Sequence, residues 1–115
     1  VSELQSGDIV LALFPFSSQK GSKVRPCLIL AQCEVPEDYV IAYLSSSDFA
    51  ASLSTSIIIS HTKESEDTTG LKVTSYLRVD KLYTLHHSVI VGKIGMLPSP
   101  LENQVKAALK KLFKL

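Results

Sequence analysis

The sequence is defined first by what it lacks. Twelve Lys and Arg stand against eleven Asp and Glu, so the formal net charge is only +1. A general coater of DNA carries a visible surplus of cations, and any nucleic-acid contact here must be local. There is no apolar run long enough to cross a bilayer, and Val1–Ser6 lack the apolar core and cleavage site of a secretory leader. The expected compartment is the cytoplasm, with no membrane partner. Only two cysteines are present. In one extended strand, six residues at ~3.3 Å each would hold Cys27 and Cys33 roughly 20 Å apart, beyond disulfide reach. His86 and His87, read as strand neighbours, face opposite ways, and no other Cys or His completes a zinc spacing. No metal site and no cofactor is expected. Repeats and low-complexity segments are absent as well.

What remains is enough for one closed core. The 115 residues are 45% hydrophobic, which fits a single domain over 1–115. Short apolar runs bounded by Gly, Pro and Ser recur, the pattern of a mainly β barrel or sandwich. Strands are expected over Asp8–Pro15, Pro26–Cys33, Tyr39–Ser45, Thr55–Ser60, Ser75–Leu85 and Ser88–Ile94. In the first, Ile9, Leu11 and Leu13 share one face while Val10, Ala12 and Phe14 share the other, so both faces should be covered. The period then changes. Ser99 as cap, Pro100 at the first helical position and Glu102 as capping-box acid announce a helix to the end of the chain. Leu101, Val105, Ala108, Leu109, Leu112 and Leu115 recur at helical spacing, with Lys106, Lys110, Lys111 and Lys114 opposite. Two polar segments read as loops: Ser17–Val24, which is basic, and His61–Thr69, which carries Glu64, Glu66 and Asp67.

Several residues carry chemistry, each with a plainer alternative. Arg25 closes the basic loop before Pro26, and its planar guanidinium suits a phosphate; it also reads as a solvated strand-edge arginine. Ser45, Ser46 and Ser47 end an apolar strand, where hydroxyls can bond phosphate or ribose or simply make a turn. Arg78 and Asp80 lie two apart on one strand face, with alpha carbons about 6.6 Å apart. Asp80 there either takes a proton or only orients Arg78 in an ion pair, and the first role needs a raised pKa. Phe16 and Tyr76 offer rings to stacked bases, Phe14 reads better as core, and His61 is a further acid-base candidate or a solvated histidine.

Taken in order, Gly7-Asp8-Ile9-Val10, Phe14-Pro15-Phe16, the Gly21–Val24 loop before Arg25-Pro26, Ser45-Ser46, Thr69-Gly70-Leu71, Arg78-Val79-Asp80 and Gly95 resemble the MazF/PemK family of toxin endoribonucleases. The resemblance runs from about Gly7 to Phe113. It implies an SH3-like barrel with a C-terminal helix, a homodimer, and metal-independent cleavage of single-stranded messenger RNA. It further implies a MazE-like antitoxin partner, whose complex with the toxin binds operator DNA. Carried over by position, the family's catalytic Arg falls on Arg25 and its strand-end Thr on Ser45; in one branch a later Arg and Asp fall on Arg78 and Asp80. Phe16, Gln19, Lys20, Lys23, Ser46 and Tyr76 are then the expected RNA contacts. Gln19 stands where that branch has a histidine, which weakens a copy of its full acid-base set. The related CcdB-like toxins, which bind gyrase through the terminal helix, and a non-catalytic RNA- or peptide-binding barrel are the alternative readings.

Overall fold

The computed structural model of the chain describes residues 4–15 and 22–115. Its six strands are β1 (Asp8–Pro15), β2 (Ser22–Gln32), β3 (Asp38–Ser45), β4 (Ser56–Ile59), β5 (Ser75–His86) and β6 (Ile90–Met96). Two helices lie in the connections, α1 (Asp48–Ala51) between β3 and β4 and α2 (Lys63–Thr69) between β4 and β5, and α3 (Glu102–Phe113) follows β6. All strand pairs are antiparallel, in the order β4-β5-β3-β2-β1-β6. The expected mainly β fold with a C-terminal helix is present, although the hydrogen-bonded ladder does not close strictly: β4 and β6 remain its two edges.

The connection through α2 reaches the β6 edge. Gly70, with φ of 75°, ends α2 in the left-handed region that glycine tolerates. A Cβ on Gly70 would collide with the backbone of Ile94, and one on Gly95 would collide with that of Thr69. Only bare backbone permits this approach. Thr69 is fully buried, donates from Oγ1 to the Ser65 carbonyl at 2.8 Å and accepts from the Leu71 N–H at 3.1 Å. Those bonds give the Thr69-Gly70-Leu71 run a structural cause.

Strand alternation creates two cores. Ile9, Leu28, Ala42, Leu44, Leu77 and Val79 pack on one face under Val105 of α3, joined by Leu101, Ala108 and Leu109. The other face collects Val10, Ala12, Phe14, Cys27, Ile29 and Ile41. Coverage of the second β1 face is thus as expected, while its first face is only partly covered, since Leu13 is exposed and Leu11 half-buried. Both cysteines are free thiols, and burial pushes that of Cys27 up to about 12. The neighbouring strands β1 and β6 are tied by Asp8, whose buried carboxylate accepts from the Gln5 N–H at 2.8 Å and pairs with Lys93 at 3.2 Å.

Four local expectations are corrected. The acidic segment expected as a loop contains α2: Thr62 and Ser65 cap each other, each side chain accepting the other's backbone N–H. β2 starts at Ser22, so Arg25 lies inside a strand; Pro26 is tolerated because β2 pairs with β1 alone until Cys27 meets Tyr43, leaving one edge open. Ser99 does not cap α3. A 3-10 turn over Ser99–Leu101 leads into it, and neither segment has a side-chain cap. His86 ends β5 and His87 begins a second 3-10 turn, so the pair does not straddle a strand; His86 Nδ1 instead accepts from the Ser88 N–H at 3.0 Å.

Candidate functional site

At the C-terminal end of β3 the surface opens into a groove of about 650 Å³. Its apolar lining comes from Leu11, Pro26, Leu44, Leu71, Val73 and Ile94, and its polar lining includes Arg25, Ser45, Ser46, Ser47 and Lys72. Three of the expected site residues, Arg25, Ser45 and Ser46, therefore meet here, with Ser47 beside them. Cys27 pairs with Tyr43, and alternation two residues further along each strand puts Arg25 and Ser45 on the same side of the sheet.

The groove arginine is lightly held. Its guanidinium donates only a long bond, 3.5 Å, to the neighbouring Val24 carbonyl, and no carboxylate pairs with it among the described residues. Ser45 Oγ accepts the Ser47 N–H at 3.0 Å. This occupies an acceptor position and leaves the hydroxyl hydrogen free to donate into the groove. Ser46 is exposed beside it.

The second pair behaves differently. Arg78 Nε and Nη2 donate to the two Asp80 oxygens at 2.8 and 2.7 Å, a bidentate fork. The Arg78 side chain retains 13% exposure and that of Asp80 30%. The guanidinium holds the Asp80 carboxyl below the usual aspartate range, and Asp80 in turn raises Arg78. A lowered pKa makes Asp80 a weaker proton acceptor at neutral pH, so the geometry favours an orienting ion pair over general-base work. Tyr76, half-buried, sits opposite Ser45 on β3 and Ile58 on β4.

Other candidates fall in different places. Lys23 is exposed on β2, opposite Phe14, whose ring is core and meets Tyr43 and Tyr83 edge-on. Phe16, Gln19 and Lys20 lie outside the described residues. His61 Nε2 bonds Glu66 Oε1 at 2.8 Å, and Lys72 Nζ reaches the other Glu66 oxygen at 3.5 Å. The His61 bond is the main cause of a lowered Glu66 pKa. Among the described residues, no three His, Cys, Asp or Glu side chains gather to hold a metal, and no helix is long and apolar enough to cross a membrane.

One residue of this surface was not singled out from the sequence. Phe49, on α1, is 64% exposed and lies 5.8 Å, centroid to carbon, from the Arg78 guanidinium. A large ring straight after Ser45-Ser46-Ser47-Asp48, where a turn calls for polar residues, was the available signal.

Solved structures share this architecture. The toxin MazF-mt6 of Mycobacterium tuberculosis matches with a TM-score of 0.73 at 21% identity, over 94% of this chain and 97% of that one. A mycobacterial endoribonuclease in complex with its cognate antitoxin matches at 0.69 and 17%, over 96% and 94%. Another mycobacterial endoribonuclease matches at 0.70 and 15%, over 99% and 94%. At such identities the likeness is one of fold. No curated protein matches the sequence. The sequence family described as PemK-like, MazF-like toxins of type II toxin-antitoxin systems matches residues 5–113, nearly the whole chain. By that match, the chain belongs to the PemK-like, MazF-like toxins of type II toxin-antitoxin systems.

Proposed function

We propose that this toxin is a metal-independent endoribonuclease that cuts single-stranded messenger RNA at preferred sequences and so arrests growth. The observation that carries the reading is the convergence on one groove of a strand-end hydroxyl and a half-buried arginine that has no carboxylate partner among the described residues. Fold likeness to mycobacterial endoribonucleases adds to it.

In this reaction the ribose 2′-hydroxyl loses its proton to water as its oxygen attacks the adjacent phosphorus in line, the bond from phosphorus to the 5′-oxygen breaks, and the departing 5′-oxygen takes a proton from water. The products are a 2′,3′-cyclic phosphate and a 5′-hydroxyl. Negative charge grows on the phosphoryl oxygens in the transition state, and a guanidinium already in place stabilises it without reorganisation. Arg25 supplies that charge. Ser45 donates its hydroxyl hydrogen to a second phosphoryl oxygen. Arg78 and Asp80 support the site by holding its neighbouring surface rigid and positioning RNA, while Ser46, Tyr76, Lys23, Phe16, Gln19 and Lys20 extend the contact.

The same reading gives the chain a second copy and a regulator. Val91 and Met96 leave apolar surface exposed on the edge strand β6, which suits coverage in a homodimer. A MazE-like antitoxin masks the RNA groove, and operator DNA is reached only through that complex. All of this takes place in the cytoplasm.

Purified protein incubated with a long single-stranded RNA in excess chelator should yield fragments with 5′-hydroxyl ends, and Arg25→Ala should lose them. Intact RNA at high protein concentration would overturn the nuclease reading, and inhibition of gyrase supercoiling in its place would identify a CcdB-like action.

A further inference from the structure

We infer that Phe49 is a stacking platform for an unpaired RNA base next to the cleaved position, a further binding residue that rests on the nuclease reading. Three features of the molecule carry it. The first is continuity with the groove. Ser45, Ser46 and Ser47 line the groove, and Ser47 caps α1 by accepting the Phe49 N–H at 3.2 Å. A strand of RNA leaving the groove past these serines meets the Phe49 ring at once.

The second feature is exposure without burial elsewhere. At 64% exposed, Phe49 contributes little to either core, unlike Phe14 at 2%. The short helix is anchored by Ala50, which is fully buried, so its neighbouring ring is free to project. The third is the support behind the ring. The Arg78 guanidinium stands 5.8 Å from its centroid, and the Asp80 fork fixes that guanidinium in turn. Cation–π attraction holds the phenyl group in place before any ligand arrives, which lowers the entropy lost when a base stacks on it.

The occupant is a nucleobase for chemical reasons. Every base presents a π face, and base–aromatic stacking tolerates sequence, which suits a flanking position outside the reacting phosphodiester.

The test uses the full chain and a mixed-sequence 20-mer with 2′-fluoro riboses, which cannot attack the phosphate, carrying 2-aminopurine at several positions. Wild type should quench 2-aminopurine on binding. Phe49→Ala and Phe49→Leu should each weaken binding by about 5- to 100-fold, the span of one base–aromatic contact, and lose the quenching. Phe49→Trp should restore both. On cleavable RNA the Phe49 variants should raise KM, whereas Arg25→Ala lowers kcat. Unchanged affinity and quenching in Phe49→Leu, with cleavage intact, would overturn the stacking role alone. A lower oligomer mass in sedimentation of Phe49→Ala, with unchanged RNA affinity per protomer, would overturn it in favour of a subunit contact. Wild type that neither binds nor cuts RNA would instead sink the nuclease reading.

Discussion

Arg25 and Arg78 are both half-buried arginines on strands, yet they are held in opposite ways. Arg25 faces the groove with one long bond to a backbone carbonyl, while both ends of the Arg78 fork are taken by Asp80 and Phe49 lies against it. With Nε and Nη2 committed to a carboxylate, that edge of the guanidinium cannot grip a phosphate as well. The comparison separates a cation kept available for a ligand from one that organises its surroundings, and substitutions should separate the two in kind as well as in size.

The largest expected effect is on chemistry. Arg25→Ala should lower kcat by about 10²- to 10³-fold, the usual result of removing one preorganised charge from a transition state. Its urea midpoint should move by no more than about 0.5 kcal/mol equivalent, because no buried partner is orphaned. Arg25→Ala that unfolds the protein would erase the distinction. Asp80→Asn should show the reverse pattern: a stability loss of roughly 1.5–3 kcal/mol in urea titration, since a mostly buried guanidinium loses its charged acceptor, with cleavage at saturating RNA falling far less than in Arg25→Ala.

Next in size, Ser45→Ala should reduce cleavage by about tenfold, worth ~1.4 kcal/mol and typical of one hydrogen bond to a charged group. Ser45→Thr should retain activity. Equal loss in both variants would point to packing and away from the hydroxyl. The smallest effect concerns pH. Asp80 is lowered in the folded protein, so its contribution to stability is present above the ordinary aspartate value of about 3.9 and is lost as pH falls through the folded value. Urea titrations from pH 6 to pH 2 should therefore show an acid limb that is shallower in Asp80→Asn.

Much of this was legible in the residues. The β1 and β3 spans followed directly from apolar runs closed by Pro15 and Ser45, and the helical spacing around Val105 located α3. α2 was not legible from periodicity because Lys63–Thr69 has no apolar stripe; its evidence is only the bracket of Thr62 before it and Gly70 after it. The groove was legible in part. Arg25 and Ser45 stood out by residue type and position, but the bond from Ser47 that orients Ser45 depends on how the chain turns into α1. Arg78 and Asp80 were legible as a same-face pair. That their fork is closed, and that Phe49 lies against it, depends on side-chain geometry which spacing does not encode.

The position of β1 between β2 and β6 has a consequence for biosynthesis. A nascent chain completes the first hairpin early, yet one side of its first strand waits for residues 90–96 to emerge before it finds hydrogen-bond partners. Until then it displays the kind of open ladder that recruits other chains. Stalling translation before that point leaves the β1 ladder bare, and the arrival of the final strand moves the open edge outward to β6.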